Sequence, residues 1–332
     1  MTEVRELDRA DEGQLHDWWT CGHDAMSTLP VDLWTDWEIS RHALPQVDPE
    51  SRIVFLGAYD GDTMVGSGLV VLPLADNTHL GVVQVWVPPD RRRRGYGTAL
   101  LDHGEALVAA AGRTTILSDV RVPVGEETDD SRWATSHGYA VANVDGVKVV
   151  DLEASAALLP ALEAQAAERR GGYRLVWWAD PAPEEHLDSL AAAMSRFLEE
   201  IPLGDLDLEP EVWTPERLRA REARRASQRR QAIVVVALTP SGEVAGYSDL
   251  VVAPHAPRVA GIEDTLVLPD HRGHRLGLGM KVLLHQQLRA LHPGAELIVT
   301  GNATTNRWMN DVNEQLGYRL VDEKLELQKV TS

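Results

Sequence analysis

Two stretches of the sequence combine residue types that suit phosphate. The first runs from Val85 as VWVPPDRRRRGYGT and the second from Leu266 as LVLPDHRGHRLGL. Each passes from an apolar strand through proline and basic residues to glycines that open a helix. That order aims unpaired backbone N–H groups at one point, at the positive end of a helix dipole, where a pyrophosphate is well held. Glycine lets the backbone come close and take positive φ, and arginine adds charge-assisted bonds to phosphate oxygens. Read alone, Arg91–Arg94 would be a solvated charge run or a nucleic-acid patch. A net charge of −19 argues against nucleic acid as a partner, because such binders need a broad basic face. No Gly-Lys-Ser/Thr follows either turn, which excludes a P-loop, and the third glycine of a dinucleotide fingerprint is missing.

The elements around the two turns repeat. Pro89, Asp90 and Arg92 match Pro269, Asp270 and Arg272 at a constant offset of 180, and the same offset carries Ile53 (IVFLGAYD) onto Ile233 (IVVVALTP). Near the end of each copy, ATSHGYA from Ala134 resembles NEQLGYR from Asn313 with a one-residue slip. The 332-residue chain is therefore a tandem duplication, with units too long for a solenoid. Each copy reads as a short strand (Val4–Leu7; Tyr173–Trp178), one or two helices, an apolar strand (Ile53–Tyr59; Ile233–Leu238), a turn and further strands ending at Val87 or Val267. The helix after the second turn places Met280, Leu283, Leu284, Gln287, Leu288 and Leu291 on one face. A helix from Leu158 reads as a linker, giving domains at 1–155 and 172–332 joined by 156–171.

Composition is that of a globular protein, 44% hydrophobic and 25% charged, and no apolar run is long enough to span a bilayer. The only lysines are Lys148, Lys281, Lys324 and Lys329. A single cysteine, Cys21, and a charged N-terminus without an apolar signal core lead to an expectation of a cytoplasmic protein without disulfides. The histidines have no ligand spacing, so no metal is expected. Trp18-Trp19 and Trp177-Trp178 are expected in the core or at the domain interface, with an acceptor-pocket wall as the lesser alternative, Tyr139 and Tyr318 against the sheet, and Cys21 as a buried thiol.

The stretch Val87-Pro88-Pro89-Asp90-Arg91-Arg92-Arg93-Arg94-Gly95-Tyr96-Gly97 resembles the acetyl-CoA signature of the GCN5-related N-acetyltransferases, Val-x-Pro-x-x-Arg merging into Arg/Gln-x-x-Gly-x-Gly/Ala. Val267-Leu268-Pro269-Asp270-His271-Arg272-Gly273-His274-Arg275-Leu276-Gly277 resembles it too, with Arg275 where the first glycine belongs. The resemblance implies an α/β (α+β) fold of two tandem domains, each a mixed, mostly antiparallel, splayed sheet flanked by helices. It implies acetyl-CoA as cofactor, with the pantetheine arm along Val85 and Val87, or Leu266 and Val267. The pyrophosphate would sit on Arg92, Arg93, Arg94, Gly95, Tyr96, Gly97 and Thr98, and in the second copy on Arg272, Gly273, His274, Arg275, Leu276 and Gly277.

Direct attack by an amine needs a neutral nucleophile. Deprotonating an amine of pKa ~10.4 at pH 7 costs about 4–5 kcal/mol. A carboxylate base contributes roughly 10²–10⁴-fold. Glu263 and Asp264, in EDTLVLP, stand on the side from which acceptors approach in the family, although a strand-end charge is the plain alternative for both. The first copy has Gln84 and Trp86 there and no base. The family tyrosine that protonates the leaving thiolate is replaced by Ala134 and Asn313, and Asn306 matches a family asparagine that contacts CoA or orders the adjacent loop. The expectation is an acetyl-CoA-dependent N-acetyltransferase acting on the primary amine of a small molecule, a monomer or homodimer with the second copy as the catalytic unit. The alternative is a non-catalytic acyl-CoA-binding module.

Overall fold

A computed structural model describes residues 2–331. In chain order its elements are β1 (Glu3–Glu6), α1 (Glu12–Met26), α2 (Trp37–Ala43), β2 (Ser51–Asp60), β3 (Thr63–Pro73), β4 (Leu80–Trp86), α3 (Tyr96–Ala110), β5 (Thr115–Val122) and α4 (Asp129–Ser136). There follow β6 (Ala140–Asp151), α5 (Leu152–Ala156), α6 (Leu159–Arg170), β7 (Arg174–Ala179), α7 (Leu187–Ser195), α8 (Phe197–Glu200) and α9 (Pro215–Ser227). The chain closes with β8 (Gln231–Leu238), β9 (Val244–Val252), β10 (Val259–Val267), α10 (Leu276–Leu291), β11 (Leu297–Ala303), α11 (Arg307–Gln315) and β12 (Arg319–Val330). Among the described residues no helix is long and apolar enough to cross a membrane.

These elements form two compact units. Unit 1 comprises the residues up to Val144, Gly204–Glu209 and the residues from Asp322 onward; unit 2 comprises Asp145–Leu203 and Pro210–Val321. Its sheet order is β1-β2-β3-β4-β5-β12 in unit 1 and β6-β11-β10-β9-β8-β7 in unit 2. Each sheet is antiparallel except for one parallel pair, β4 with β5 or β10 with β11. The folded units differ from the linear repeat in one respect. The last strand of the first repeat, β6, pairs with β11 from Asp145↔Ala303 to Asp151↔Leu297, whereas β12 pairs with β5 from Glu323↔Val122 to Val330↔Thr115. Each repeat thus completes its sheet with the other's final strand.

Alternating apolar residues explain the packing. In unit 1, Leu100, Leu101 and Val108 of α3 pack on Val54, Val70 and Val83 of the sheet. Gly104 is required there, because a Cβ would lie 2.7 Å from Val83. In unit 2, Met280, Leu284 and Leu288 of α10 pack on Ile233, Leu250 and Ile298. Each such side chain contributes about 1.5–3 kcal/mol on leaving water. The segment read as a linker, α6, adds Leu159, Leu162 and Ala166 to this same core, so it is an integral helix of unit 2.

The exchanged strand is held electrostatically as well as by its ladder. Asp322, wholly buried, accepts hydrogen bonds from Arg121 Nε and Nη2 on β5. Removing one member of a buried pair strands the other charge and costs about 3–5 kcal/mol. Asp322→Ala is therefore expected to lower the unfolding free energy of unit 1 by that amount, read from the shift of its urea midpoint multiplied by m; an unchanged midpoint would mean that the pair does not hold β12.

Candidate active site

Both glycine turns keep the geometry that an anion needs. Gly95 (φ 85°, ψ −1°) and Arg275 (φ 51°, ψ 28°) occupy equivalent left-handed positions immediately before α3 and α10. Arg275 takes the glycine's conformation at a strain cost of about 1–2 kcal/mol. Its side chain turns away to donate to Gln165 Oε1 at 2.9 Å, so the departure from the motif leaves the turn intact. The first intrahelical bonds are Ala99 N to Gly95 O and Gly279 N to Arg275 O, each 3.0 Å. The N–H groups of Tyr96–Thr98 and Leu276–Leu278 therefore have no intrahelical acceptor, and no side chain caps either helix.

The turns differ in what surrounds them. In unit 1, Arg92 pairs with Asp130 at 3.1 Å and Arg93 with Asp129 at 2.6 Å, so the acidic first turn of α4 neutralises half of the four-arginine run. Arg94 reaches only the Asp90 carbonyl at 3.4 Å, and Tyr96 is buried with its hydroxyl on Asp60. A Cβ on Gly97 would meet the Trp133 indole at 3.5 Å, with Val87 and Val85 next nearest, so Trp133 lies along the predicted path of the ligand. In unit 2, Arg272 bonds the Val267 carbonyl and Glu200. His274 faces the Arg169 carbonyl at 3.2 Å, and a Cβ on Gly277 would find only Val267, at 3.8 Å.

The parallel pairs end early. β4 is in register with β5 only over Leu80–Val82, and β10 with β11 only over Val259–Gly261. Beyond these residues each pair parts, leaving backbone groups inside the sheet without ladder partners. In unit 1, Gln84 Nε2 donates to Asp119 Oδ1 and latches the two strands across the gap. On the α1 face, Trp86 packs edge-on against Trp18 and Trp34 at ring separations of 5.5 and 5.3 Å, and Trp18 Nε1 donates to the Gly68 carbonyl. The space beside the unit 1 splay is filled by aromatic rings.

In unit 2 the corresponding region is acidic. The β9–β10 register shifts between Ile262 and Thr265, and Asp249 Oδ1 accepts the Asp264 N–H at 3.0 Å, which fixes the bulge. Glu263 and Asp264, both predicted as bases, then separate in character. Glu263 accepts from Arg221, and from Arg225 at 3.1 Å; burial opposes its ionisation, but the two guanidiniums outweigh it and hold the carboxyl below its usual range. Asp264 has no such pairing, and burial together with the Asp249 charge pushes it up to about 8. Burial raises Asp249 too, although Arg221 and Arg225 bond it, so of the two facing carboxyls Asp264, which neither arginine bonds, is the one that exchanges a proton more readily near neutrality. Sequence reasoning missed Asp249, Arg221 and Arg225. The signal for the two arginines was present in α9, where Thr214 caps a helix with Pro215 at its first turn and Arg217, Arg221 and Arg225 recur at i, i+4; Asp249 lies inside the apolar strand β9.

The remaining predicted residues divide between binding surface and framework. Asn306 caps α11, accepting from Met309 N at 3.2 Å, and so orders the loop after β11. Leu266 and Leu276 are buried core residues, while Val267 ends β10 against the turn. Thr98 faces His137 at 3.3 Å. Trp18 and Trp178 are buried and Trp177 is 37% exposed; Tyr139, Tyr318 and Cys21 are buried as expected. No group of three or more potential metal-ligating side chains occurs among the described residues.

Comparison with known proteins gives two matches to the acetyltransferase (GNAT) family model, over residues 13–126 and 197–318. Among solved structures, a tandem GNAT protein from the clavulanic acid biosynthesis pathway is similar, with 23% identity, a TM-score of 0.80, and 100% of this chain and 99% of that one covered. A GCN5-related N-acetyltransferase from Sphaerobacter thermophilus follows, with 16% identity, a TM-score of 0.66, and 99% and 95% covered. A glucosamine N-acetyltransferase region of a fungal multi-domain β-N-acetylglucosaminidase has 15% identity and a TM-score of 0.66, covering 99% of this chain and 38% of that one. No curated protein matches the chain.

The electrostatics of the bulge are directly measurable. Because the Asp249 charge raises Asp264, Asp249→Asn keeps the acceptor oxygen and removes the repulsion. Carboxyl-carbon NMR is expected to find Asp264 titrating near 8 in the parent protein and closer to the ordinary carboxylate range in the variant. An unchanged midpoint would separate the two groups.

Proposed function

The chain belongs to the acetyltransferase (GNAT) family, and from that premise we propose that unit 2 moves an acetyl group from acetyl-CoA to the primary amine of a small molecule. The observation that carries this reading is the juxtaposition, in one unit, of a turn with free N–H groups, a parted strand pair and a carboxyl poised near neutrality. Bound acetyl-CoA supplies the acyl group as a thioester. The N–H groups of Leu276–Leu278 and the start of α10 hold its diphosphate. The unpaired edges of β10 and β11 beyond Gly261 and Val299 offer hydrogen bonds to its amide-bearing arm. Asp264, when ionised, accepts the proton of the attacking amine. Glu263 stays paired with Arg221 and Arg225 and keeps the bulge rigid.

Unit 1 is read as a structural partner. Two of its turn arginines, Arg92 and Arg93, are paired with acids of α4, Trp133 and the Gln84–Asp119 latch stand at the splay, and no acid stands where Asp264 stands in unit 2. The second reading, an acyl-CoA sensor without chemistry, draws on Ala134 and Asn313 at the positions of the family tyrosine. Amine-dependent release of CoA, followed with a thiol reagent, separates the two, since a sensor releases none above hydrolysis.

Calorimetric titration is expected to give one CoA per chain. Gly277→Glu, which sets a carboxylate in the unit 2 turn, abolishes binding, while Gly97→Glu leaves it; two sites, or loss with Gly97→Glu, would reverse the assignment of units. Asp264→Asn is expected to lower kcat/KM by about 10²–10⁴-fold. The base works when ionised, so kcat/KM of the parent rises as pH passes through about 8, and that limb disappears in the variant. A limb that persists would move the base elsewhere.

A further inference from the structure

On the face of the unit 2 sheet covered by α7 and α9, a cavity of about 20 Å³ lies between Trp178, Tyr247 and Asp249. Measured over the centres of water-sized spheres, that is room for one water. Leu190 and Met194 of α7 and Leu218 of α9 form its apolar wall. Two side chains of the lining carry polar atoms with no hydrogen-bond partner among the described residues, Trp178 at Nε1 and Tyr247 at its hydroxyl. They are 7% and 1% exposed, so bulk solvent does not reach either atom.

The charged groups on the same lining are already paired. Asp249 accepts from the Asp264 N–H, Arg221 and Arg225. Glu222 accepts the Ala182 N–H at 2.8 Å and Arg219 at 2.7 Å, and Asp180 accepts the Ala232 N–H at 2.9 Å. An indole N–H only donates, so the occupant must accept a hydrogen bond, which excludes a cation. An anion would face Asp180, Glu222 and Asp249 together. A neutral oxygen fits: water accepts from Trp178 and Tyr247 and donates to Asp249, the three bonds usual for an internal water. Burial and the charges of Asp264 and Asp249 raise the Tyr247 phenol well above its ordinary range, so it stays protonated and within reach of the bulge's field. Unit 1 dispenses with this set: the offset of 180 puts Ser67 and Leu69 where Tyr247 and Asp249 stand, and Leu69 packs with Trp18 and Phe55.

We propose that this cavity is the site of one internal water, which accepts from Trp178 and Tyr247 and donates to the Asp249 carboxylate, making Tyr247 and Trp178 positioning residues for the bulge that carries Asp264. The inference goes beyond the acyl-transfer reading and does not depend on it. Burial opposes the ionisation of Asp249, and the water adds a donor to the charged form. With the charge held on Asp249, the proton shared by the two facing carboxyls stays on Asp264. Without the water Asp249 takes a larger share of that proton, and Asp264 ionises at lower pH.

The test follows NMR cross-relaxation between water and the Trp178 indole N–H in the full chain, the signal being assigned by its loss in Trp178→Phe. It is paired with carboxyl-carbon titration of Asp264 in the parent and in Tyr247→Phe. The parent is expected to show a long-lived water at the indole, and Tyr247→Phe to weaken that signal. In the same variant the Asp264 midpoint falls by about one unit, a tenfold loss of proton affinity. The melting temperature of unit 2 falls by roughly 2–4 °C, the usual effect of one lost hydrogen bond in a unit of this size. A phenol with no partner gives the reverse: removing an unmet buried hydroxyl raises the melting temperature and leaves Asp264 unmoved. That reverse result would overturn the proposal, as would a parent without the water signal or a water signal whose loss leaves the Asp264 titration unchanged. None of these readouts uses CoA or an amine, so their failure is distinct from a failure of the acyl-transfer reading.

Discussion

A parallel strand pair that stops pairing in the middle of a sheet must find other partners for its backbone. Buried N–H and C=O groups are almost always bonded, and leaving one unmet costs about 1–3 kcal/mol. Both units contain such a pair, and most of what distinguishes them follows from how the gap is treated. Unit 1 closes it with the Gln84–Asp119 hydrogen bond and packs Trp133, Trp86, Trp18 and Trp34 around it. In unit 2, among the described residues, no such hydrogen bond joins β10 to β11 beyond Gly261, and the bulge of β10 carries Asp264, whose carboxyl is raised towards neutrality.

The duplication explains how one chain supports both treatments. Two copies of the same strand-turn-helix were retained, and the left-handed residue before each helix was kept even where arginine replaced glycine. Exchange of β6 and β12 makes each sheet depend on chain from both repeats. Under that arrangement, the first repeat contributes framework to unit 2 through β6, including Lys148, even though its own turn is crowded by Asp129, Asp130 and Trp133. The opening concentration of arginines is accordingly shared between two jobs: a turn of phosphate-binding shape, and ion pairs that tie that turn to α4.

Much of the fold was legible in the sequence. The 180-residue offset, the Val-x-Pro strands and the glycine turns locate β4, β10, α3 and α10, because turn chemistry and apolar periodicity are local properties. The strand exchange was not legible, since β6 and β12 are equivalent by sequence and only tertiary pairing decides which sheet each joins. On α10 the expected apolar face was right at Met280, Leu284 and Leu288, whereas Leu291 is 43% exposed and Lys281 and His285 are buried. Periodicity assigns polar residues to solvent and has no means of anticipating a buried lysine bonded to Asn313 on another helix. The acids were legible as residues but not as roles: Glu263 and Asp264 are neighbours in sequence, and only the arginines of α9 and the Asp249 carboxyl set them apart.

Hydrogen exchange of backbone amides, with and without CoA, tests the central claim at its source. The account predicts slowed exchange on ligand addition in Ile262–Val267 and Leu276–Leu278 of unit 2, and unchanged exchange in Val83–Val87 and Tyr96–Thr98 of unit 1. Protection confined to unit 1, or absent from the parted strand and turn of unit 2, would contradict it.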